Sequence, residues 1–156
     1  MGKLFIYPSY EDIVNKHNNE VIGKTGGSLG ILDERLIKSA ISFIKNDSYY
    51  ESFEDKLTHL VYSLAKNHGF ADGNKRTAIV AGAYFLEINA FDQYIVDVFI
   101  REMENVVLLC VQNIITKDEL RQIIGDFINL TYLSDETSLI YVKKLKKLKK
   151  QQSHDN

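Results

Sequence analysis

The chain has 156 residues, of which 45% are hydrophobic and 26% charged, and its formal net charge is −2. A chain of this length and ordinary composition is expected to form one domain with a proper core. The single cysteine, Cys110, excludes an internal disulfide, no Cys/His cluster has zinc spacing, and no apolar run has membrane-spanning length. Because the amino terminus also lacks a signal-peptide pattern, we expect a cytoplasmic protein without a membrane partner.

The first part of the sequence predicts two capped helices that are separated by a loop. Ser9 is suited to cap a helix over residues 10–22. Residues 23–30 include four glycines and therefore predict a loop. Asp33 follows and is suited to cap the next amphipathic helix, which leads to a polar connection over residues 46–52.

An apolar helix is predicted over residues 53–68, just before the most informative stretch of the sequence. Its apolar residues share one helical face with His68, at three- and four-residue spacings; they are Leu57, Leu60, Val61 and Leu64. We therefore expect His68 to end this apolar stripe and to pack against the core. Gly69, directly after it, is expected to stop the helix.

A second helix, predicted over residues 75–88, begins beside a cluster of polar and basic side chains. The start of a helix has free backbone N–H groups and the positive end of the helix dipole, so it binds anions. We expect Asp72 or Asn74 to cap this helix through its side chain. Gly73 lets a phosphate approach the backbone closely, and Lys75 and Arg76 add positive charge. The pattern predicts a phosphate site.

Two further residues complete the parts needed to transfer a phosphorus group to a hydroxyl. Asp72 provides an oxygen ligand suited to a magnesium ion that bridges phosphates. His68 is a side chain that can accept a proton at neutral pH. Alone, such a histidine is more often a core residue, and an Asp-Gly-Asn sequence is usually a turn. Their order at a helix start favours a functional site.

The remaining elements are also predicted to be helical, apart from a short extended piece over residues 91–95. Helices are expected over residues 96–111 and over residues 117–130, the latter capped by Thr116. The helix after the motif carries small residues that allow a neighbouring helix to approach closely; they are Ala78, Ala81, Gly82 and Ala83. The sequence therefore predicts an all-α protein.

The tail is rich in lysine. Six lysines and no acids lie between Lys143 and Lys150, and without them 13 basic residues face 21 acidic ones, a net charge of about −8. Tyr141, Leu145 and Leu148 form a narrow apolar stripe. A solvated helix end is the preferred interpretation of these lysines. The alternative is electrostatic contact with an acidic partner or with RNA.

The segment from His68 to Arg76 resembles the motif of the Fic/Doc superfamily, which is matched here by His68-x-Phe70-x-Asp72-Gly73-Asn74-Lys75-Arg76. The continuation Asn-Lys-Arg-Thr-Ala is similar to the death-on-curing (Doc) branch, and the resemblance covers about residues 4–130. It implies a compact all-α bundle in which the motif loop lies between two central helices. Accordingly, we expect a catalytic domain over residues 1–133 and a lysine-rich tail, helical or disordered, over residues 134–156.

The resemblance also implies a role for each residue of the motif. His68 would be the general base that takes a proton from a target Ser or Thr hydroxyl, and Asp72 would help to bind Mg²⁺. Phe70 would anchor the loop in the core. The phosphates of ATP, the co-substrate, would be bound by Gly73, Asn74, Lys75 and Arg76.

The motif departs from that of adenylylating Fic proteins, which have glycine in place of Lys75 and arginine in place of Ile79. A lysine adds bulk and charge where an α-phosphate would lie, so the resemblance favours a Doc-like protein kinase. Such a toxin would transfer the γ-phosphate of ATP to a Ser or Thr of elongation factor Tu and block translation. Gly73 favours the alternative, nucleotidyl transfer (AMPylation). A third hypothesis is a non-catalytic binding module that uses the basic tail.

Partners and further contact residues are also implied. The chain lacks the inhibitory motif of many Fic proteins, in which Ser or Thr precedes Glu by four residues, so we expect a separate antitoxin. His17 is placed on the polar side of the first helix and is similar to a residue of Doc-like chains. Tyr49 and Tyr50 lie in a connection that the family uses as a flap. These three residues are candidates for substrate or partner contact. For His17 the alternatives are a supporting position behind the site or simple exposure, and for the tyrosines packing on the fold is the preferred interpretation.

Overall fold

Residues 4–154, which the computed structural model describes, contain eight α-helices and one π-helical segment. The helices are α1 (Tyr10–Lys16), α2 (Gly23–Thr25), α3 (Glu34–Ile44), α4 (Phe53–Lys66), α5 (Asn74–Ile88), α6 (Gln93–Val111), α7 (Lys117–Leu130) and α8 (Asp135–His154). The π-helical segment (His17–Ile22) joins α1 to α2. Within the described range there is no strand, only an isolated antiparallel bridge between Ile31 and Phe70. The predicted all-α class is confirmed.

Side-chain caps fix the starts of several helices where the sequence predicted them. Ser9 and Thr116 each form a capping box, in which the cap hydroxyl and an acidic side chain satisfy backbone N–H groups reciprocally. Asp33 accepts a hydrogen bond from the backbone N–H of Arg35 at the start of α3. These bonds satisfy donors that have no partner inside the helix, so the three predicted caps are confirmed.

The core lies around α4 and α5, the two helices that flank the motif. The apolar face of α4 is buried along its length, and Leu57, Leu60 and Val61 are fully inaccessible to solvent. α6 crosses α5 closely because Gly82 has no side chain: a Cβ there would lie 2.8 Å from Cζ of Phe99. The motif loop is therefore held between two helices that are themselves fixed by the core.

The first helix departs from the regular helix predicted over residues 10–22. Gly23 donates its N–H to the carbonyl of Asn18, five residues earlier, which is the hydrogen bond of a π-helix. The helix continues through α2 to Thr25, so the first residues of the predicted glycine loop are helical. The prediction that His17 lies on the polar side of this helix is wrong, because its side chain is completely buried.

α6 also begins earlier than predicted. Asp92 is its N-cap residue and the helix starts at Gln93, so the extended piece predicted over residues 91–95 is wrong from Gln93 onward. A piece of five residues is too short to be distinguished from one more helical turn by periodicity alone. Ala90 reverses the chain in a left-handed conformation just before this start.

The lysine-rich stretch is part of α8, which packs against the rest of the bundle. Leu148 is buried, and Tyr141 and Leu145 are partly buried against the core. The division into a catalytic domain and a tail stays a prediction. None of the helices between residues 4 and 154 is long and apolar enough to cross a membrane.

Candidate active site

His68 follows the carboxyl end of α4 in a left-handed backbone conformation, with φ of 52°. α4 ends at Lys66 and Asn67 is its C-cap, so His68 occupies the position at which left-handed geometry often terminates a helix. This turn takes the His68 side chain off the apolar stripe and leaves it exposed. The prediction that His68 ends the helix and packs against the core is therefore wrong.

Gly69 was expected to stop the helix, but its role is to allow close packing. A Cβ at this position would lie 2.7 Å from Cγ1 of Ile37 in α3. The backbone carbonyl of Gly69 accepts hydrogen bonds from the N–H groups of Leu32 and Asp33, at 2.8 and 3.2 Å. The motif loop thus begins pressed against α3 and the segment that precedes it.

Phe70 and Asn74 tie the two ends of the motif loop together. Phe70 is 1% exposed, and its ring lies parallel to that of His17, with 3.9 Å between the ring centroids. The Asn74 side chain accepts from the N–H of Phe70 and donates to its carbonyl, both at 3.0 Å. Because these bonds use the amide of Asn74, its backbone N–H is the group that remains available for a phosphate.

His17 holds the same loop from beneath. Its Nε2 lies 2.8 Å from the carbonyl oxygen of Asp72, which can only accept, so Nε2 carries the proton and donates. Because His17 is completely buried, it cannot contact a substrate or partner, and that prediction is wrong. The sequence signal for this position was its four-residue spacing from Ile13 and Val21, which are also buried.

The amino terminus of α5 is open, as an anion site requires. Gly73 is the N-cap residue, in a left-handed conformation with φ of 77°, and it makes no side-chain cap bond. The prediction that Asp72 or Asn74 caps α5 is therefore wrong. The first N–H groups of a helix have no partner within it, so those of Asn74, Lys75 and Arg76 can receive an anion.

Gly73 is required at this turn for two physical reasons. Its positive φ is unfavourable for residues with a side chain. A Cβ at this position would also lie 2.9 Å from Cγ1 of Val21 in the π-helical segment. The backbone conformation and the packing beneath it thus explain the glycine without reference to a ligand.

The Asp72 carboxylate is hydrogen-bonded to the glycine loop, residues 26–30, which lies between α2 and α3. It accepts from the N–H of Ser28 at 3.1 Å and from that of Gly73 at 2.8 Å. These two bonds, together with the charge of Arg76, hold the pKa of Asp72 below its usual range. Gly27 permits this approach, because a Cβ there would lie 2.5 Å from Oδ2 of Asp72.

A magnesium ion fits this carboxylate only in company with phosphates. The described residues contain no cluster of three or more His, Cys, Asp or Glu side chains that could bind a metal by themselves. Each oxygen of Asp72 accepts one N–H and keeps further acceptor capacity, and the carboxylate is charged at neutral pH. One carboxylate plus substrate phosphates is a usual environment for Mg²⁺.

Two cationic side chains stand at the same helix start. Lys75 and Arg76 are both exposed. Nη1 of Arg76 donates to Oγ1 of Thr25, whose hydroxyl in turn donates to the carbonyl of Val21 at 2.6 Å. A guanidinium has five N–H donors, so this contact orients Arg76 and leaves other donors for a phosphate.

One cavity of about 400 Å³ brings the motif side chains together. Its lining contains Ala65, His68, Ala71, Asp72, Gly73, Asn74, Lys75, Arg76 and Val111. A larger groove of about 1060 Å³ runs past Phe5, Phe53 and Arg121 but includes none of the predicted site residues. We assign the site to the smaller cavity because a proton acceptor, a carboxylate and an open helix start meet there.

Tyr49 and Tyr50 lie outside this cavity and pack on the fold. Tyr50 stacks on His59, and its hydroxyl accepts from Nζ of Lys117 at 2.8 Å. Tyr49 packs against Phe43. The segment that pairs with the motif loop is instead the preceding glycine loop, where the N–H of Ala71 donates to the carbonyl of Gly30 at 3.0 Å.

His59 forms a second histidine cluster, which is not suited to nucleophilic catalysis. Nζ of Lys117 lies 2.9 Å from Nδ1, and Oγ of Ser63 lies 3.1 Å from Nε2. Because Lys117 donates to Nδ1, the proton of the neutral ring is on Nε2, which then cannot accept the proton of Ser63. Burial and the charge of Lys117 lower the pKa of His59 to about 4.

Comparison with known proteins gives a family match and a relative. The model of the Fic/DOC family matches residues 7–86, just over half of the chain. Toxin Doc of Mycolicibacterium smegmatis is 41% identical over 68 residues, which are 41% of this chain and 52% of that protein. The matched segment thus spans about half the length of this curated relative. No solved structure matches the chain. On the strength of the family match, the chain belongs to the Fic/DOC family.

Proposed function

We propose that this chain is a Doc-like toxin that transfers the γ-phosphate of ATP to a serine or threonine hydroxyl of a protein. The observation that carries the proposal is the single cavity that joins exposed His68 to the uncapped start of α5. A proton acceptor and a phosphate cradle are the two parts that such a transfer needs. The similarity to a protein named Toxin Doc supports the biological role.

The chemistry follows from these positions. The hydroxyl oxygen of the target forms a bond to the γ-phosphorus, while the bond between that phosphorus and the bridging oxygen of ADP breaks. The hydroxyl proton passes to His68, and ADP leaves with the electron pair of the broken bond. Arg76 and the N–H groups at the start of α5 neutralise charge on the phosphates. Magnesium, when bound, adds charge neutralisation between phosphate oxygens, and Asp72 is the residue that would hold it.

Lys75 favours phosphoryl over nucleotidyl transfer. It is the second residue of α5 and is exposed at the mouth of the phosphate cradle, where its ammonium group and bulk disfavour a bound α-phosphate. Gly73, which in the sequence favoured nucleotidyl transfer, has a conformational explanation in its positive φ and its contact with Val21. It therefore carries no weight for either reaction.

The partners in this proposal follow from the family resemblance. The target is a translation factor similar to elongation factor Tu, and its modification blocks translation in the cytoplasm. A separate antitoxin controls the enzyme. A catalytically silent module is the less favoured reading because the residues of the predicted site line one cavity.

Label transfer from ATP that carries the label on either the γ- or the α-phosphate tests the reaction. The acceptors are purified elongation factor Tu and a cell lysate, and the control is His68→Ala. We expect label from the γ position alone, and only with intact His68. Transfer of label from the α-phosphate would show that the reaction is nucleotidyl transfer and would overturn the proposal. If neither label is transferred in a His68-dependent manner, the phosphotransfer proposal fails.

A further inference from the structure

Four lysines of α8 form one exposed surface, which we call the lysine face. Lys143, Lys146, Lys147 and Lys150 recur at spacings of three and four residues, so they project from the same side of the helix. All four are exposed, and together with Lys144 they surround one shallow concavity. The face spans about 10 Å of helix, at a rise of about 1.5 Å per residue.

The rest of α8 fixes this face in place. Tyr141, Leu145 and Leu148 lie on the opposite side of the helix and pack against the core, with Leu148 only 4% exposed. Lys144 is set apart from the lysine face, because its Nζ lies 3.7 Å from a carboxylate oxygen of Glu119 in α7. The four lysines are therefore presented on a rigid element rather than on a loose tail.

We infer that the lysine face binds the phosphate backbone of a nucleic-acid duplex without regard to sequence. Outside residues 143–150, which contain six lysines, the chain has a net charge of about −8, so concentrated positive charge occurs here against an acidic background. A duplex presents about one negative charge per 1.7 Å of its axis, or about six over the length of the face. Lysine provides mobile point charges, which suffice for phosphates.

The side chains of the lysine face argue against two other polyanionic partners, namely acidic proteins and single-stranded nucleic acids. The centres of protein interfaces are depleted in lysine and depend on aromatic or arginine anchors, and the lysine face has neither. Surfaces for single strands add aromatic side chains on which bases stack. Tyr141, the nearest aromatic side chain along α8, lies on the opposite side, against the core.

Fluorescence anisotropy with labelled 20-base-pair DNA and RNA duplexes of mixed sequence tests this inference over a series of salt concentrations. Both duplexes should bind, because the shared ligand is the phosphate backbone. Replacing the four lysines together by glutamine should weaken binding at least tenfold at low salt. The slope of log Kobs against log salt should fall by about 0.9 for each lysine that contacts a phosphate.

A matched control removes the same charge elsewhere. Arg35, Lys38, Lys45 and Arg101 are exposed on other helices or turns, and their joint replacement by glutamine should leave most of the binding intact. Circular dichroism verifies that both variants fold, and a four-arginine variant of the face should retain binding. Equal losses in the two glutamine variants would overturn the inference. So would tighter binding to a polyglutamate peptide, which would indicate an acidic protein partner. The inference does not depend on the proposed phosphotransfer.

Discussion

The backbone at His68 turns the side chain that we propose as the general base away from α4, the helix that precedes it. A left-handed residue after the C-cap turns the chain out of α4, and histidine tolerates this conformation better than most side chains. Ordered residues in such rare conformations cluster at functional sites. The apolar periodicity of the sequence shows which face of α4 is buried. It does not reveal that the backbone turns at His68, so that this side chain no longer lies on that face.

Replacing His68 by asparagine separates chemistry from backbone strain. Asparagine also adopts the left-handed conformation readily, so the free energy of unfolding should change by less than about 0.5 kcal/mol. Transfer should be lost because the amide cannot accept the hydroxyl proton, whereas ATP binding should be largely kept. Urea unfolding, ATP titration and label transfer measure the three quantities. Normal turnover by this variant would rule out His68 as the base.

His17 offers a test of how the loop is held. His17→Phe keeps a ring against Phe70 but removes the N–H that Asp72 accepts, which should cost about 1 to 3 kcal/mol of stability. Because the carbonyl of Asp72 lies directly before Gly73, the affinity for ATP should fall as well. Isothermal titration and urea unfolding measure both effects. His17→Gln, which retains an N–H donor, should be the milder variant, and equal ATP affinity in all three proteins would contradict this role.

At the level of the helices, the packing around α5 depends on one small residue. A Cβ on Gly82 would lie 2.8 Å from Cζ of Phe99 and 3.1 Å from Cγ2 of Val61, both in the core. Both neighbours are fully buried, and a close-packed core leaves such side chains little room to move. The distances between α4, α5 and α6 at this crossing therefore depend on the absence of a side chain at Gly82. Because the motif loop joins α4 to α5, its position depends on the same packing.

Gly82→Ala should destabilise the protein although alanine is the better helix former. Overpacking costs about 1 to 3 kcal/mol, and at a contact of 2.8 Å we expect this cost to exceed the gain of about 1 kcal/mol in helix propensity. Gly125→Ala in α7 is the matched control, because its Cβ would only reach Cγ of Glu54 at 4.0 Å. This control should gain about 0.5 to 1 kcal/mol. Thermal and urea unfolding show whether each substitution raises or lowers the free energy of unfolding. Stabilisation by both substitutions would refute the packing argument.

The helices that the sequence predicted correctly are those with strong local signals. Capping residues and apolar periodicity located α3, α4 and α7 to within a few residues. The π-helical segment has no comparable signal, since one extra residue in a turn only shifts the phase of the apolar pattern. The buried position of His17 was missed for another reason: its sequence neighbours Lys16 and Asn18 are polar, although its spacing from Ile13 and Val21 was visible.

For the molecule as a whole, the acid side of the stability curve is set in part by His59. Its pKa in the folded protein is lowered to about 4 from an unfolded value near 6.5, first by burial and then by the charge of Lys117. Between about pH 6.5 and pH 4, His59 is therefore protonated in the unfolded chain but neutral in the folded protein. Stability should therefore fall as the pH decreases from about 6.5 to about 4 and should level off below.

Urea midpoints measured between pH 8 and pH 4 test this dependence. The wild-type protein should lose stability through that window, and His59→Gln should show a flatter profile because glutamine does not titrate. The low pKa of Asp72 contributes only at more acidic pH, so it does not confuse the comparison. Parallel profiles for the two proteins would mean that His59 is not the titrating group.

Family membership and the set of motif residues could be inferred from the sequence because the motif is local. The orientation of those residues could not, since it depends on contacts between distant segments. Asp72 is held by Ser28, Arg76 by Thr25, and the motif loop by the glycine loop. No periodicity within either segment encodes such pairings.

The π-helical segment has a consequence for how this chain can vary in length. A π-helical turn holds one residue more than the α-helical turn it replaces, so deleting one residue from the segment would restore an ordinary helix and leave its two ends in nearly the same relative orientation. Ile13 and Val21, both buried, would then lie seven residues apart, a spacing that keeps them on one face of an α-helix. An alignment gap placed here would therefore not by itself mark a relative that holds its motif loop in another way.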